Sequence, residues 1–143
     1  MGWVGRIQEA LEEDRFVLYS QKILPLMNGT EGGEHYELLL RLKDEDGTLI
    51  APMAFIPAAE RYGLMPQLDR WAINTAFAQY EERHPPGTPV GTCAINLSGA
   101  SICDESFYEF VTGQFDRYEI PPDGICFEIT ETSAIANLTQ QLY

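Results

Sequence analysis

Hydrophobic residues recur along this chain with two different periods. Between residues 3 and 13, Trp3, Ile7 and Leu11 stand four apart with acidic residues among them, which predicts one face of a helix. Residues 16–26 (FVLYSQKILPL) are rich in β-forming side chains and reach Pro25, so a strand is predicted there, followed by the turn residues MNGTEGG. A second strand is predicted over 36–42 (YELLLRL), closed by the turn DEDG. Residues 52–62 (PMAFIPAAERY) predict a short helix stopped by Gly63, with Pro57 tolerable only in its first turn. Leu68, Trp71, Ala72, Ala76, Phe77 and Tyr80 then mark a longer helix from Pro66, with Asp69, Arg70, Glu81 and Arg83 assigned to its polar face.

The loop HPPGTPVG precedes a third strand over 92–97. Asp104 reads as the N-cap of a helix whose apolar stripe is Phe107, Phe110, Val111, Phe115 and Tyr118. Pro121, Pro122, Asp123 and Gly124 break that helix, residues 125–130 (ICFEIT) predict a last strand, and residues 133–143 can begin another helix. Later strands joined by long helical crossovers imply an α/β fold with mostly parallel pairing.

Strand alternation sorts the polar residues by face. Glu37, Leu39 and Arg41 share one side of their strand; Asn96 and Ser98 lie opposite Ile95 and Leu97; Cys126, Glu128 and Thr130 lie opposite Ile125, Phe127 and Ile129. Each strand thus has an apolar face for crossover helices and a face with a carboxylate or carboxamide. These polar groups are expected near the C-terminal strand ends, where parallel sheets bind ligands. Two carboxylates and an amide are hard oxygen ligands suited to Mg²⁺ or Mn²⁺. Other readings stay open: Glu37 and Arg41 as a same-face ion pair, Asn96 as a satisfied core amide, Glu128 and Glu131 as a solvated strand end.

Nine basic against 22 acidic residues give a formal charge of −13, which repels nucleic-acid backbones and argues against DNA or RNA as partners. An anionic small ligand would need an arginine or a metal as local counter-charge. Cys93, Cys103 and Cys126 lack paired spacing and read as reduced, structural residues. No run is apolar and long enough for a membrane span, and the start is acidic, so a soluble, cytoplasmic chain without membrane contact is expected.

From about Ala10 to Gln140 these segments resemble the EAL domain family. ALEEDRFVLYSQKILPL is similar to the family's opening helix and strand, and YELLLRL to its signature, with Glu37-Leu38-Leu39 for Glu-Ala-Leu. APMAFIPAAERYGLMPQLDRW, CAINLS and FEITET resemble the segments that follow, in order. The resemblance implies a modified (β/α)₈ barrel of TIM type that opens cyclic di-GMP to linear pGpG with two divalent ions, in bacterial second-messenger signalling. It implies metal ligands at Glu37, Asn96 and Glu128, a substrate-phosphate contact at Arg41, a ligand-contacting glutamine at Gln21 and a loop-steadying glutamate at Glu131. Lys22 stands where the family has proline. No residue of the chain is assigned a catalytic role beyond these.

The expected organisation is a lead-in helix or linker over 1–14 and the N-terminal part of an EAL domain over 15–143. A (β/α)₈ barrel takes about 250 residues, and the family's Asp-Asp-Phe-Gly segment, later lysine and later glutamate are absent here. The 143-residue chain alone is therefore expected to hold metal weakly and not to turn over substrate. Open sheet edges predict a homodimer or larger assembly. The lead-in helix is compatible with a flanking signalling domain. The alternatives are a degenerate domain that senses cyclic di-GMP without cleaving it, against which Glu37, Arg41, Asn96 and Glu128 argue, and an interaction module with no nucleotide role.

Overall fold

The computed structural model describes residues 2–24 and 33–129, and its elements follow the hydrophobic periods. Helix α1 (Trp3–Glu12) leads into strand β1 (Phe16–Lys22), which pairs antiparallel with β2 (His35–Lys43). A two-residue strand β3 (Leu49–Ile50), too short to leave a period, folds back on the end of β2. Helices α2 (Pro52–Arg61) and α3 (Met65–Arg83) cross over to β4 (Thr92–Leu97), which lies parallel to β2. One turn of helix, α4 (Gly99–Ile102), and then α5 (Glu105–Tyr118) carry the chain to β5 (Ile125–Ile129), parallel to β4. The sheet order is β1-β2-β4-β5, with β3 beside β2. The α/β architecture with parallel strands joined by helical crossovers is as expected, and the antiparallel members are β1 and the short β3.

Local chemistry accounts for most boundaries. Asp104 caps α5 through its side chain, which accepts from the Ser106 backbone N–H at 3.0 Å. Gly63 takes φ +70°, the left-handed conformation that stops α2. Pro57 does not fall in the first turn of α2 as expected but stands inside the helix. It cannot donate to the carbonyl of Met53, but Pro57 and Met53 are both exposed, so water can serve that acceptor. The first strand ends at Lys22, earlier than the β-forming run suggested. The final helix expected over 133–143 lies outside the described residues.

Two buried clusters hold the layers together. Tyr36, Ile73, Phe77, Cys93, Ile95 and Phe107 join the apolar face of β2 and β4 to α3 and α5, where the Phe77 and Phe115 rings meet edge-on at 4.9 Å. Ile7, Phe16, Leu42, Phe55 and Leu68 close the other end, beneath α1 and α2. Ile73 is fully buried, so Ile73→Val removes one methylene group from packed surroundings. We expect a loss of about 0.5–1.5 kcal/mol by urea denaturation. No helix among the described residues is long and apolar enough to cross a membrane.

Candidate functional site

The strand register builds the site. Gln21 sits opposite Glu37 across the β1–β2 pair, Glu37 opposite Ala94 across β2–β4, and Asn96 opposite Glu128 across β4–β5. Cross-strand partners and residues two apart share a face. Gln21, Glu37, Arg41, Asn96 and Glu128 therefore all belong to the face of the sheet away from the core helices.

One expectation about this face needs correcting. Asn96 and Glu128 are near the C-terminal ends of their strands, but Glu37 is the third residue of the nine in β2, near its start. Registered two residues below Asn96, it still reaches it: Asn96 Nδ2 donates to Glu37 Oε1 at 3.0 Å, and also to the Leu38 carbonyl at 3.4 Å. The length of the glutamate side chain spans the offset. With its N–H₂ committed to these acceptors, the Asn96 carboxamide keeps Oδ1 free of any hydrogen bond among the described residues. Asn96 is exposed and not a core amide.

Arg41 does not pair with Glu37. Four residues apart on a strand means roughly 13 Å, and the ion pairs among the described residues are Arg6–Asp44, Arg15–Glu13 and Arg70–Asp104. Half-buried Arg41 instead donates to the Leu40 carbonyl at 2.9 Å and lines a cavity of about 290 Å³ together with Asn96, Ser98 and Asp69. Gln21 is exposed at the β1 end of the face. Glu131 lies outside the described residues.

The donor set fits a hard divalent cation in kind. Two carboxylates and a free amide oxygen are brought to adjacent strands, the chemistry Mg²⁺ and Mn²⁺ take. Among the described residues no group of three or more His, Cys, Asp and Glu side chains gathers. The cysteines are all free. Cys93 is buried as expected of a structural residue, whereas Cys126 is exposed, because it shares the open face with Glu128 and not the core face.

Asp69 is the residue that sequence reading misplaced. Its charge predicts the polar face of α3, yet only 4% of it is exposed. Its Oδ2 accepts from the Ser98 N–H at 3.0 Å, the Ser98 hydroxyl at 2.6 Å and the Ser101 hydroxyl at 2.6 Å. Burial pushes its carboxyl up from the ordinary range, and the bonds from Ser101 and Ser98 pull it back. The period did carry the signal: Met65, Asp69, Ala72, Ile73, Ala76 and Tyr80 form one continuous buried stripe.

A parallel-rich sheet under crossover helices, with acidic and amide side chains gathered on its open face, is the arrangement of a domain of the α/β barrel class. The EAL domain family profile matches residues 4–142, and the chain belongs to that family. It is 38% identical over 141 residues to the cyclic di-GMP phosphodiesterase PdeB of Shewanella oneidensis, covering 94% of this chain and 16% of that protein. It is 35% identical over 137 residues to the cyclic di-GMP phosphodiesterase PdeF of Escherichia coli, covering 96% of this chain and 18% of that one. The FimX EAL domain from Pseudomonas aeruginosa bound to c-di-GMP superposes with a TM-score of 0.85 at 29% identity, over 99% of this chain and 56% of that one. The chain thus spans less than a fifth of these curated relatives and a little over half of the solved domain.

Proposed function

We propose that this chain supplies part of a cyclic di-GMP phosphodiesterase site, which opens one phosphodiester of the ring to give linear pGpG. The observation that carries this reading is the Glu37–Asn96 hydrogen bond with Glu128 in register beside it, on one face of a family member whose relatives are named for that activity. Glu37, Asn96 and Glu128 hold Mg²⁺ or Mn²⁺ through oxygen. When bound, such ions polarise a phosphodiester and make a neighbouring water more acidic. Arg41 adds a fixed positive charge for a phosphate oxygen. Gln21 offers an amide to the ligand from the β1 side, and Glu131 steadies a neighbouring loop. The ions and Arg41 together reconcile an anionic ligand with a chain of net charge −13.

Calorimetry and chromatography with this chain extended to a complete EAL domain test the reading. Cyclic di-GMP should bind more tightly with Mn²⁺ present, and pGpG should accumulate. Binding without pGpG selects the sensor reading. Absence of both overturns the proposal.

Arg41→Ala separates the arginine's part from the metal's. Losing a charge-assisted bond to a phosphate, worth about 1.5–3 kcal/mol, should weaken cyclic di-GMP binding by about 10- to 100-fold. Mn²⁺ affinity measured without nucleotide should stay unchanged. A fall in both would mean that Arg41 supports the metal ligands and not the phosphate.

A further inference from the structure

The two central strands part company at the site. β2 and β4 pair only from His35 opposite Thr92 to Leu38 opposite Ile95, although β2 runs on to Lys43 and β4 to Leu97. The cavity of about 290 Å³ takes lining residues from both faces of β2, Leu38 and Leu40 from one and Leu39 and Arg41 from the other, so it passes between the strands where they separate. From Asn96 onward, β4 has ladder partners on β5 alone. Its β2 side has to be held by something else.

Asp69 occupies that place. It reaches from α3 to the residue after β4, taking both the backbone N–H and the hydroxyl of Ser98, and it takes the hydroxyl of Ser101 one turn on. The Ser98 hydroxyl in turn accepts from the Ser101 N–H at 3.2 Å, so the carboxylate, the strand end and the first turn of α4 form one closed network. No cation stands within 4.0 Å of Asp69 among the described ion pairs. Burying a leucine is favourable, whereas burying a carboxylate this deeply is costly unless hydrogen bonds satisfy it, as these three do. What they fix here is the backbone two residues beyond Asn96.

We propose that Asp69 is a positioning residue. By tying Ser98 to α3 it sets how far the end of β4 stands from β2, and so holds the Asn96 carboxamide within reach of Glu37 across the gap that Arg41 lines. The inference rests on the metal-holding reading of Glu37, Asn96 and Glu128 for its consequence, but the placement of Asn96 can be read without any metal.

The test uses this chain, ¹⁵N-labelled, with the Asn96 side-chain amide assigned by its disappearance in Asn96→Asp. In Asp69→Asn that signal should move toward the position of a free carboxamide, and its hydrogen exchange should quicken by at least about tenfold. Mn²⁺ affinity, followed by electron paramagnetic resonance, should fall by about tenfold, as when an outer partner of a metal ligand is lost. Ser101→Ala, which removes one of the three donors, should shift the signal in the same direction by less, and serves if Asp69→Asn does not fold. Phe77→Leu, on the same helix but packed against Phe115, is the control for general destabilisation and should leave the signal in place. An unmoved carboxamide in the Asp69 and Ser101 variants overturns the proposal, as does an equal shift in Phe77→Leu. A wild-type chain that takes up no Mn²⁺ overturns the metal reading instead, and the carboxamide signal still decides the role of Asp69.

Discussion

Glu37→Gln should lower the Mn²⁺ affinity of this chain by at least about 100-fold, since losing a direct ligand costs no less than losing the outer partner of one. The substitution keeps size and shape, so the effect isolates charge and hydrogen-bond direction. Glu37 Oε1 accepts from Asn96 Nδ2 at 3.0 Å in the wild type. A glutamine can preserve that bond only by keeping its oxygen on Asn96, which turns its own N–H₂ toward the cation. Flipped, it sets N–H₂ against N–H₂ and frees Asn96 from β2. Either arrangement removes one of the two carboxylates among the proposed ligands, and neither is repaired by the rest of the face, where Gln21 is uncharged and Arg41 is cationic. Nucleotide binding should fall with metal binding, while thermal stability stays within about 0.5 kcal/mol of the parent because the side chain is part-exposed. Unchanged Mn²⁺ affinity would remove Glu37 from the metal site and return the Glu37–Asn96 pair to a structural role.

What could be read from sequence, and what could not, follows from how each feature is encoded. Strand alternation is local and strict, so Glu37, Arg41, Asn96 and Glu128 were sorted to the right face from their positions alone. The level of each residue along the sheet is set by register between strands far apart in sequence. Glu37 therefore came out near the start of β2 and not near its end. The supposed Glu37–Arg41 pair fell for a related reason, since sharing a face says nothing about reach. Asp69 was misjudged because a charged residue was given to solvent by type, although its position on α3 put it in the buried stripe; the serines that satisfy it stand about thirty residues away. Cys126 went with Glu128 by the same strand alternation, and it stands exposed on the open face. The short β3 and α4 carry too few residues to express a period.

Gly91→Ala should cost about 3–5 kcal/mol, or prevent folding outright, the range reserved for a substitution that the backbone cannot accommodate. A Cβ at residue 91 would overlap the carbonyl oxygen of Glu34 and stand 2.5 Å from its carbonyl carbon and 2.7 Å from its nitrogen, all backbone atoms with no rotamer to yield. The same carbonyl accepts the Thr92 N–H at 3.0 Å, and the next pair, His35 opposite Thr92, begins the β2–β4 ladder. The approach is doubled from the other side, where a Cβ on Gly33, at φ +84°, would meet the Pro89 carbonyl oxygen at 2.5 Å. Alanine at 91 must therefore push the strands apart where their register is set. Glu37 lies only two residues up that ladder from His35, so the Glu37–Asn96 bond should be lost with it. Gly113→Ala supplies the contrast: inside α5, with open space where its Cβ would go, the same change should stabilise the chain by about 0.5–1 kcal/mol. Urea denaturation followed by the fluorescence of Trp3 and Trp71 reads both variants. A midpoint for Gly91→Ala that matches the parent would mean the two strands are not in the close contact that brings Glu37 to Asn96, and that β2 and β4 pair in another register.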